Sequence, residues 1–443
     1  MTPGILIVAP SAYTYGGLAS WLDYLVPGLR QRGWRVTLGL VEGAVFHRPD
    51  RYVASHPDPH WTSIPCRSGT PEGRCRAVVR AIVSDRPDVV VAVNIPDVYC
   101  AVARLRRAGH PVRATMALHN IEPEFYGDMR RWAALLDGVI CPNRLACALA
   151  ERLGGVASQR INYAPCGTAS VPDGGTPRRG DRLRIAYVGR LEEARKRLGD
   201  IPVILRQLEA DGVPFEMRIA GTGAEEAALR RELTDFEKAK RVRFLGRLDS
   251  EVIRREVYAD ADLLLLTSLW ETGPLVIWEA MSAGLAVVSS RYVGSGLEGS
   301  LRQDETALLF PVGDTRAAAA QLARLWREPG LRERIGGNGR ALVAARYTVA
   351  ASLEAWDAAL RRIMEAGRLP PPAESGRAFA GTVGRLDRWL GRALAESVRG
   401  VLGRRGPAAD AGGEWPHSYG IAQESADEFW RAARTLDAGP PME

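Results

Sequence analysis

Lysine is almost missing from this chain of 443 residues: only Lys196, Lys238 and Lys240 occur, so nearly all its positive charge is arginine. Such a bias is what a GC-rich genome produces, and arginine clusters therefore carry little functional weight here. No apolar run approaches the length needed to cross a bilayer. The start, Met1-Thr2-Pro3-Gly4 followed by Ile5-Leu6-Ile7-Val8, lacks a basic stretch and a cleavage site, and reads as a first strand rather than a signal peptide. Cysteine is sparse and scattered: Cys66, Cys75, Cys100, Cys141, Cys147 and Cys166 form no Cys-x-x-Cys pair. That argues against a disulfide framework or a zinc site and points to a reducing cytoplasm. No internal repeat of solenoid length is visible.

What is present is an ordinary globular balance, 46% hydrophobic and 25% charged, with enough chain for two or three domains. The net charge of +7 suits an acidic small molecule, an anionic membrane surface or nucleic acid. Short apolar runs alternate with amphipathic stretches almost throughout. Strands are expected at residues 5–9, 36–40, 89–93, 114–118 and 139–141. A second series is expected at 183–188, 216–220, 242–245, 263–267 and 286–289. Helical spacing marks 18–32, 198–211 and 224–237. Strands alternating with helices imply parallel sheets covered on both faces, so the chain reads as two doubly wound α/β domains in tandem. The Gly-, Pro- and charge-rich segment 171–181 is the best linker, and Pro370-Pro371-Pro372 marks a second break.

The segment 259–289 carries the strongest chemical signal. A strand leads into Ser268-Leu269-Trp270-Glu271-Thr272-Gly273-Pro274-Leu275, and a helix bearing Glu279 follows. Pro274 suits the first helical position, and Gly273 lets a ligand approach the backbone. A helix N-terminus at the carboxyl end of a parallel strand presents free N–H groups to an anion. Two carboxylates beside it suit vicinal hydroxyls, each accepting hydrogen bonds. Spacing alone leaves open that both are ordinary surface glutamates near a helix start. Elsewhere, Gly16-Gly17 follow the first strand but lack the Gly-x-Gly-x-x-Gly pattern of a dinucleotide site. His119 ends a strand, where a histidine alone is more often structural. Asp260-Ala261-Asp262 imitates a metal-binding Asp-x-Asp, yet stands at a helix-to-strand junction where Asp is a common turn residue. It is not read as a metal site.

Glu271 and Glu279, with Ala280-Met281-Ser282-Ala283-Gly284 behind them, resemble the Glu-x7-Glu signature of retaining family 4 glycosyltransferases with the GT-B fold. Val188-Gly189-Arg190-Leu191, the basic pair Lys196-Arg197, Ala220-Gly221-Thr222-Gly223, Phe244-Leu245-Gly246 and residues 306–314 match further segments in order, over about residues 4–364. The resemblance implies two Rossmann-like domains facing across a cleft, with a C-terminal helical tail. Residues 1–170 would form the acceptor domain, 182–348 the nucleotide-sugar donor domain and 349–368 a closing helix. Residues 369–443 would form a partly helical or disordered tail. It further implies an enzyme, a retaining hexosyltransferase moving sugar from a UDP-, GDP- or ADP-sugar to a hydroxyl acceptor. No metal, separate cofactor or nucleic acid is expected.

By the same resemblance, Glu279 holds the ribose, and Glu271 and His119 sit by the transferred sugar. Arg190 and Lys196 grip the diphosphate. Gly16, Gly17 and Gly221, with the amides of Gly273, Pro274 and Leu275, line the donor. The acceptor stays open among glycans, lipid-linked sugars and small metabolites. A nucleotide-sugar epimerase or a phosphorylase on the same architecture, or an inactive scaffold, remain the alternatives. The tail at 375–405 places Phe379, Val383, Leu386, Leu390, Leu394, Val398 and Val401 near helical spacing, with arginines and Trp389 interleaved. It reads either as an amphipathic helix on an anionic membrane or, with its glycines favouring this, as a helix packed on the protein or on a second subunit.

Overall fold

The computed structural model describes residues 2–169, 180–370, 385–402, 409–420 and 423–439. The linker expected at 171–181 falls outside these except for its last two residues, as do Phe379 and Val383 of the tail. By contacts the chain divides into two compact units. One comprises Met1–Pro142, Ala146–Ala164 and Leu353–Ala432, the other Asn143–Leu145, Pro165–Ser352 and Ala433–Glu443.

The first unit is built on seven parallel strands: β1 (Gly4–Pro10), β2 (Arg35–Glu42), β3 (Trp61–Pro65), β4 (Val89–Val93), β5 (Arg113–Ala117), β6 (Leu136–Cys141) and β7 (Ile161–Tyr163). Their order is β3-β2-β1-β4-β5-β6-β7. β1 and β4 are apolar at nearly every position because helices cover both faces, which removes the alternation that a half-wet strand would show. The order reverses between β1 and β4, and ligands of such sheets bind outside the carboxyl ends at that point. The second unit has six parallel strands: β8 (Leu183–Val188), β9 (Phe215–Ala220), β10 (Val242–Gly246), β11 (Leu263–Leu266), β12 (Ala286–Ser290) and β13 (Leu308–Phe310). They run β10-β9-β8-β11-β12-β13, with the reversal between β8 and β11. One face packs on Ile201, Leu205 and Leu322, and the other on Ile277, Met281 and Val343.

Every strand expected from the pattern is present. The three that were not foreseen, β3, β7 and β13, are short and two of them are polar or edge-exposed, so their apolar signal is weak. The stretch 224–237 is not one helix. It splits into Glu226–Glu232 and Thr234–Lys238, with the Thr234 hydroxyl turned back onto the carbonyls of Arg230 and Arg231.

The tail as far as Ala432 is part of the first unit's architecture. In the helix Val349–Glu365, Trp356 packs against Trp21 at 5.3 Å between ring centres, and Asp357 accepts a 2.6 Å hydrogen bond from the Trp34 indole. The helix Arg385–Leu402, kinked at Gly391, brings the Glu396 carboxylate to the hydroxyls of Ser68 and Thr70, both at 2.5 Å. In residues 410–420 the Glu414 carboxylate accepts hydrogen bonds from three successive amides, Val45, Phe46 and His47, at 2.7–2.9 Å. Trp415 is fully buried and donates to the Glu42 carbonyl. The Tyr419 hydroxyl donates to Asp97 at 2.6 Å and its amide to Asp128 at 3.0 Å. These partners follow the carboxyl ends of β2 and β4 or lie on the helices beyond β4 and β5, so the segment covers that edge of the sheet.

Candidate active site

In the second unit, the loops after β8, β9 and β11 converge. Gly221 takes a φ of 144°, and a Cβ there would stand 1.8 Å from the Gly189 carbonyl oxygen. A Cβ on Gly223 would lie 2.1 Å from the Leu191 carbonyl oxygen. Both glycines are therefore required by the close approach of two backbones. The Leu191 amide then donates to the Thr222 carbonyl at 3.0 Å, which laces the loops together.

The short helix Glu193–Lys196 is tied to the loop after β11 at several points. The amide of Leu269 donates to the Arg195 carbonyl at 2.8 Å, and the Thr267 hydroxyl to the Lys196 carbonyl at 2.7 Å. This brings both basic side chains onto Glu271. Arg195 donates to one carboxylate oxygen at 2.6 Å, while Ser268 at 2.7 Å and the Lys196 ammonium share the other. Glu271 is only 2% exposed. Burial pushes its pKa upward, but the adjacent charges of Lys196 and Arg195 and the hydrogen bonds outweigh that and bring it down to about 2. It is thus an ionised carboxylate holding two cations at a loop over the sheet's carboxyl edge. The basic residue beside Lys196 at this site is Arg195. Arg197 instead turns away to pair with Asp200 at 2.8 Å.

The helix Leu275–Ser282 starts one residue later than the sequence suggested. Pro274 is its N-cap in extended conformation, and no side chain caps the first amides. Glu279 is half-buried on this helix and accepts a 3.0 Å hydrogen bond from the Tyr258 hydroxyl. Burial raises its pKa, against the lowering by Tyr258 and Arg254. Arg190 is not brought to Glu271: it is 69% exposed and pairs with Glu192 at 3.1 Å. Asp260 and Asp262 are held by arginines, Asp260 by Arg218 and Asp262 by Arg332 at 3.3 Å.

Within the first unit, Gly16 (φ 109°) precedes the helix that Gly17 begins, and a Cβ on Gly16 would meet nothing within 4 Å. Its conformation, not crowding, calls for glycine. His119 lies just past β5, edge-on to Trp21 of that same helix at 4.3 Å. Its Nε2 is buried without a hydrogen-bond partner, and burial lowers its pKa to about 4, so the ring is neutral near pH 7. The structure thus groups Lys196, Glu271 and the 273–275 loop in one unit, and Gly16, Gly17 and His119 in the other.

Sequence reasoning missed Arg195, Ser268 and Tyr258. Arg195 stands next to Lys196 in the chain and was findable; Tyr258 has no sequence signal. It also missed a small cavity in the first unit lined by Asn94, Tyr99, Met116, Phe125, Asp128 and His417. There Asp128 is 2% exposed, one carboxylate oxygen lacks a partner, and burial raises its pKa to about 7.

Two family models match the chain, Glycosyltransferase Family 4 over residues 15–169 and Glycosyl transferases group 1 over residues 174–342. Among curated relatives, the amylovoran biosynthesis glycosyltransferase AmsK of Erwinia amylovora is 39% identical over 32% of this chain and 36% of its own length. The phosphatidyl-myo-inositol mannosyltransferase of Mycobacterium leprae is 28% identical over 72% of this chain and 86% of its own length. The chain spans between about a third and a half of the first curated relatives it matches. Anabaena HepE, solved in complex with UDP, superposes with a TM-score of 0.66 over 81% of this chain and 99% of its own, at 18% identity. That likeness speaks to the fold.

Proposed function

Because the chain belongs to the family 4-like glycosyltransferases with the GT-B fold, we propose that it moves a hexose from a nucleoside-diphosphate sugar to a hydroxyl acceptor, with retention of anomeric configuration. The observation that carries this reading is the buried Glu271 carboxylate with Lys196 and Arg195 fixed on it, at the N-terminal approach to the helix bearing Glu279. As the glycosidic bond breaks, negative charge grows on the leaving diphosphate. Cations already held in place stabilise that charge without reorganising, so they favour the transition state over the ground state. Glu271 acts here as the anchor that sets Lys196 and Arg195, and its own carboxylate faces the transferred sugar. Glu279, oriented by Tyr258, accepts the paired ribose hydroxyls. The amides of Gly273, Pro274 and Leu275 meet the donor, and Arg190 swings in from solvent.

The cations supply the charge that a divalent ion supplies in other transferases, so the reaction proceeds without metal. A neutral His119 suits hydrogen bonding to a sugar hydroxyl. HepE crystals with UDP and with UDP-glucose support a uridine nucleotide donor. The six free cysteines support a reducing, cytoplasmic setting.

Calorimetric titration with uridine, guanosine and adenosine diphosphates tests the donor site. At least one binds, and Glu279→Ala and Lys196→Ala each weaken it at least tenfold while the protein stays folded. Wild-type affinity in both variants sinks the site. Incubation with the matching nucleotide sugar and no acceptor should yield slow hydrolysis; an epimerised sugar would instead favour the epimerase reading.

A further inference from the structure

The helix Arg385–Leu402 presents two faces of opposite character. Its inward face is fully engaged with the first unit. Ala395 is completely buried, Glu396 binds Ser68 and Thr70, and Arg76 donates to the Ala393 carbonyl and the Ser397 hydroxyl. Asp387 accepts a 2.6 Å hydrogen bond from Arg399. Both carboxylates of the helix are therefore spent on the protein or on the helix itself.

The outward face is apolar and cationic. Trp389 is 88% exposed, Leu394 59% and Leu390 40%, and Arg388 lies exposed beside them. Of the nine exposed large apolar residues among the described residues, Val45, Trp61, Val83 and Val203 stand singly and Tyr13 and Tyr15 form a pair, whereas these three fall within six consecutive positions. Singly exposed apolar residues need no explanation, whereas a cluster at one site does.

We propose that this face docks on an anionic lipid bilayer, with Trp389, Leu390 and Leu394 entering the headgroup–acyl boundary. Three features select a bilayer over a second protein. The remaining charge on the face is positive, on a chain whose net charge is +7, and complements acidic headgroups. An indole is favoured at the water–hydrocarbon boundary, where its ring is buried and its N–H stays hydrated. Three side chains offer far less than the roughly 800 Å² per partner of a stable protein interface, but they suffice for reversible surface binding when arginine adds attraction. No helix among the described residues is long and apolar enough to cross a membrane, so the contact is peripheral. The inward anchoring through Glu396 means that the first unit travels with the helix to the surface. None of the residues of this face is among those assigned to the donor site.

Cosedimentation of the full chain with vesicles tests this directly. Binding to mixed phosphatidylglycerol and phosphatidylcholine vesicles is expected to exceed binding to phosphatidylcholine alone at least tenfold, and to weaken with salt. Combined Trp389→Ser and Leu394→Ser should reduce binding at least tenfold, with unchanged melting temperature and nucleotide affinity. Arg388→Glu, which leaves the apolar side chains in place, should lower binding to the anionic vesicles alone. Undiminished vesicle binding by the double serine variant overturns the proposal. So does a dimer of the wild-type chain that the same variant converts to monomer, since the face would then belong to a second copy.

Discussion

At Glu271 opposing effects meet. Burial favours the protonated acid, while two adjacent cations and a hydroxyl favour the carboxylate, and the cations win. The folded-state pKa of about 2 lies below the ordinary 4.5, so the group stabilises the fold above pH 4.5 and loses that contribution as the pH falls toward 2. The difference of 4.5 − 2, or 2.5 pH units, corresponds to roughly 3 kcal/mol. Glu271→Gln should therefore destabilise the protein by roughly that amount at pH 7, because it strands two half-buried cations. Denaturant melts across pH 2 to 7 check this: the gap between wild type and variant must close on the acid side. A gap independent of pH would show that packing, not charge, holds Glu271. Both glutamates were singled out from the sequence through their resemblance to the Glu-x7-Glu signature, since their spacing alone left open that they were ordinary surface residues near a helix start. The Tyr258 partner of Glu279 was not, because it arrives from a turn 21 residues away along the chain.

Among the elements, the two loops after β8 and β9 depend on glycine more than their sequence suggests. Gly221→Ala would drive a methyl group into the Gly189 carbonyl at a backbone conformation that side chains rarely adopt. A loss of about 3 kcal/mol or more is expected, together with nucleotide binding. Retained stability in thermal denaturation, or wild-type nucleotide affinity, would contradict the geometry. The tail makes a second case. Glu414→Ala removes the common acceptor of three buried or half-buried amides, for a loss of roughly 3 kcal/mol. Hydrogen exchange should then rise at Val45, Phe46 and His47 specifically; exchange unchanged there would mean that other groups satisfy these amides. From sequence, residues 410–420 carried no periodicity and no motif. What fixes them is a set of contacts with loops and helices 291 to 373 residues earlier, which no local pattern encodes.

Across the whole molecule, the six cysteines are all free, and Cys75 and Cys100 form a buried thiol contact at 3.2 Å. Thiol titration of the denatured, unreduced protein should count all of them, and reductant should leave the melting temperature unchanged. A shift would reveal a covalent link between Cys75 and Cys100. The alternation of buried apolar runs with amphipathic helices was enough to write down two parallel α/β units, because strand and helix periods are local properties of the chain. So was the order of the loop bearing Glu271 and the helix bearing Glu279, because both follow directly from the strand β11. Folding alone decided which cation meets Glu271, that Arg190 stays in solvent, and that the tail builds onto the first unit's carboxyl edge. Those outcomes turn on which of many arginines and carboxylates come within reach of one another, a matter of three-dimensional proximity and burial to which spacing along the chain is blind.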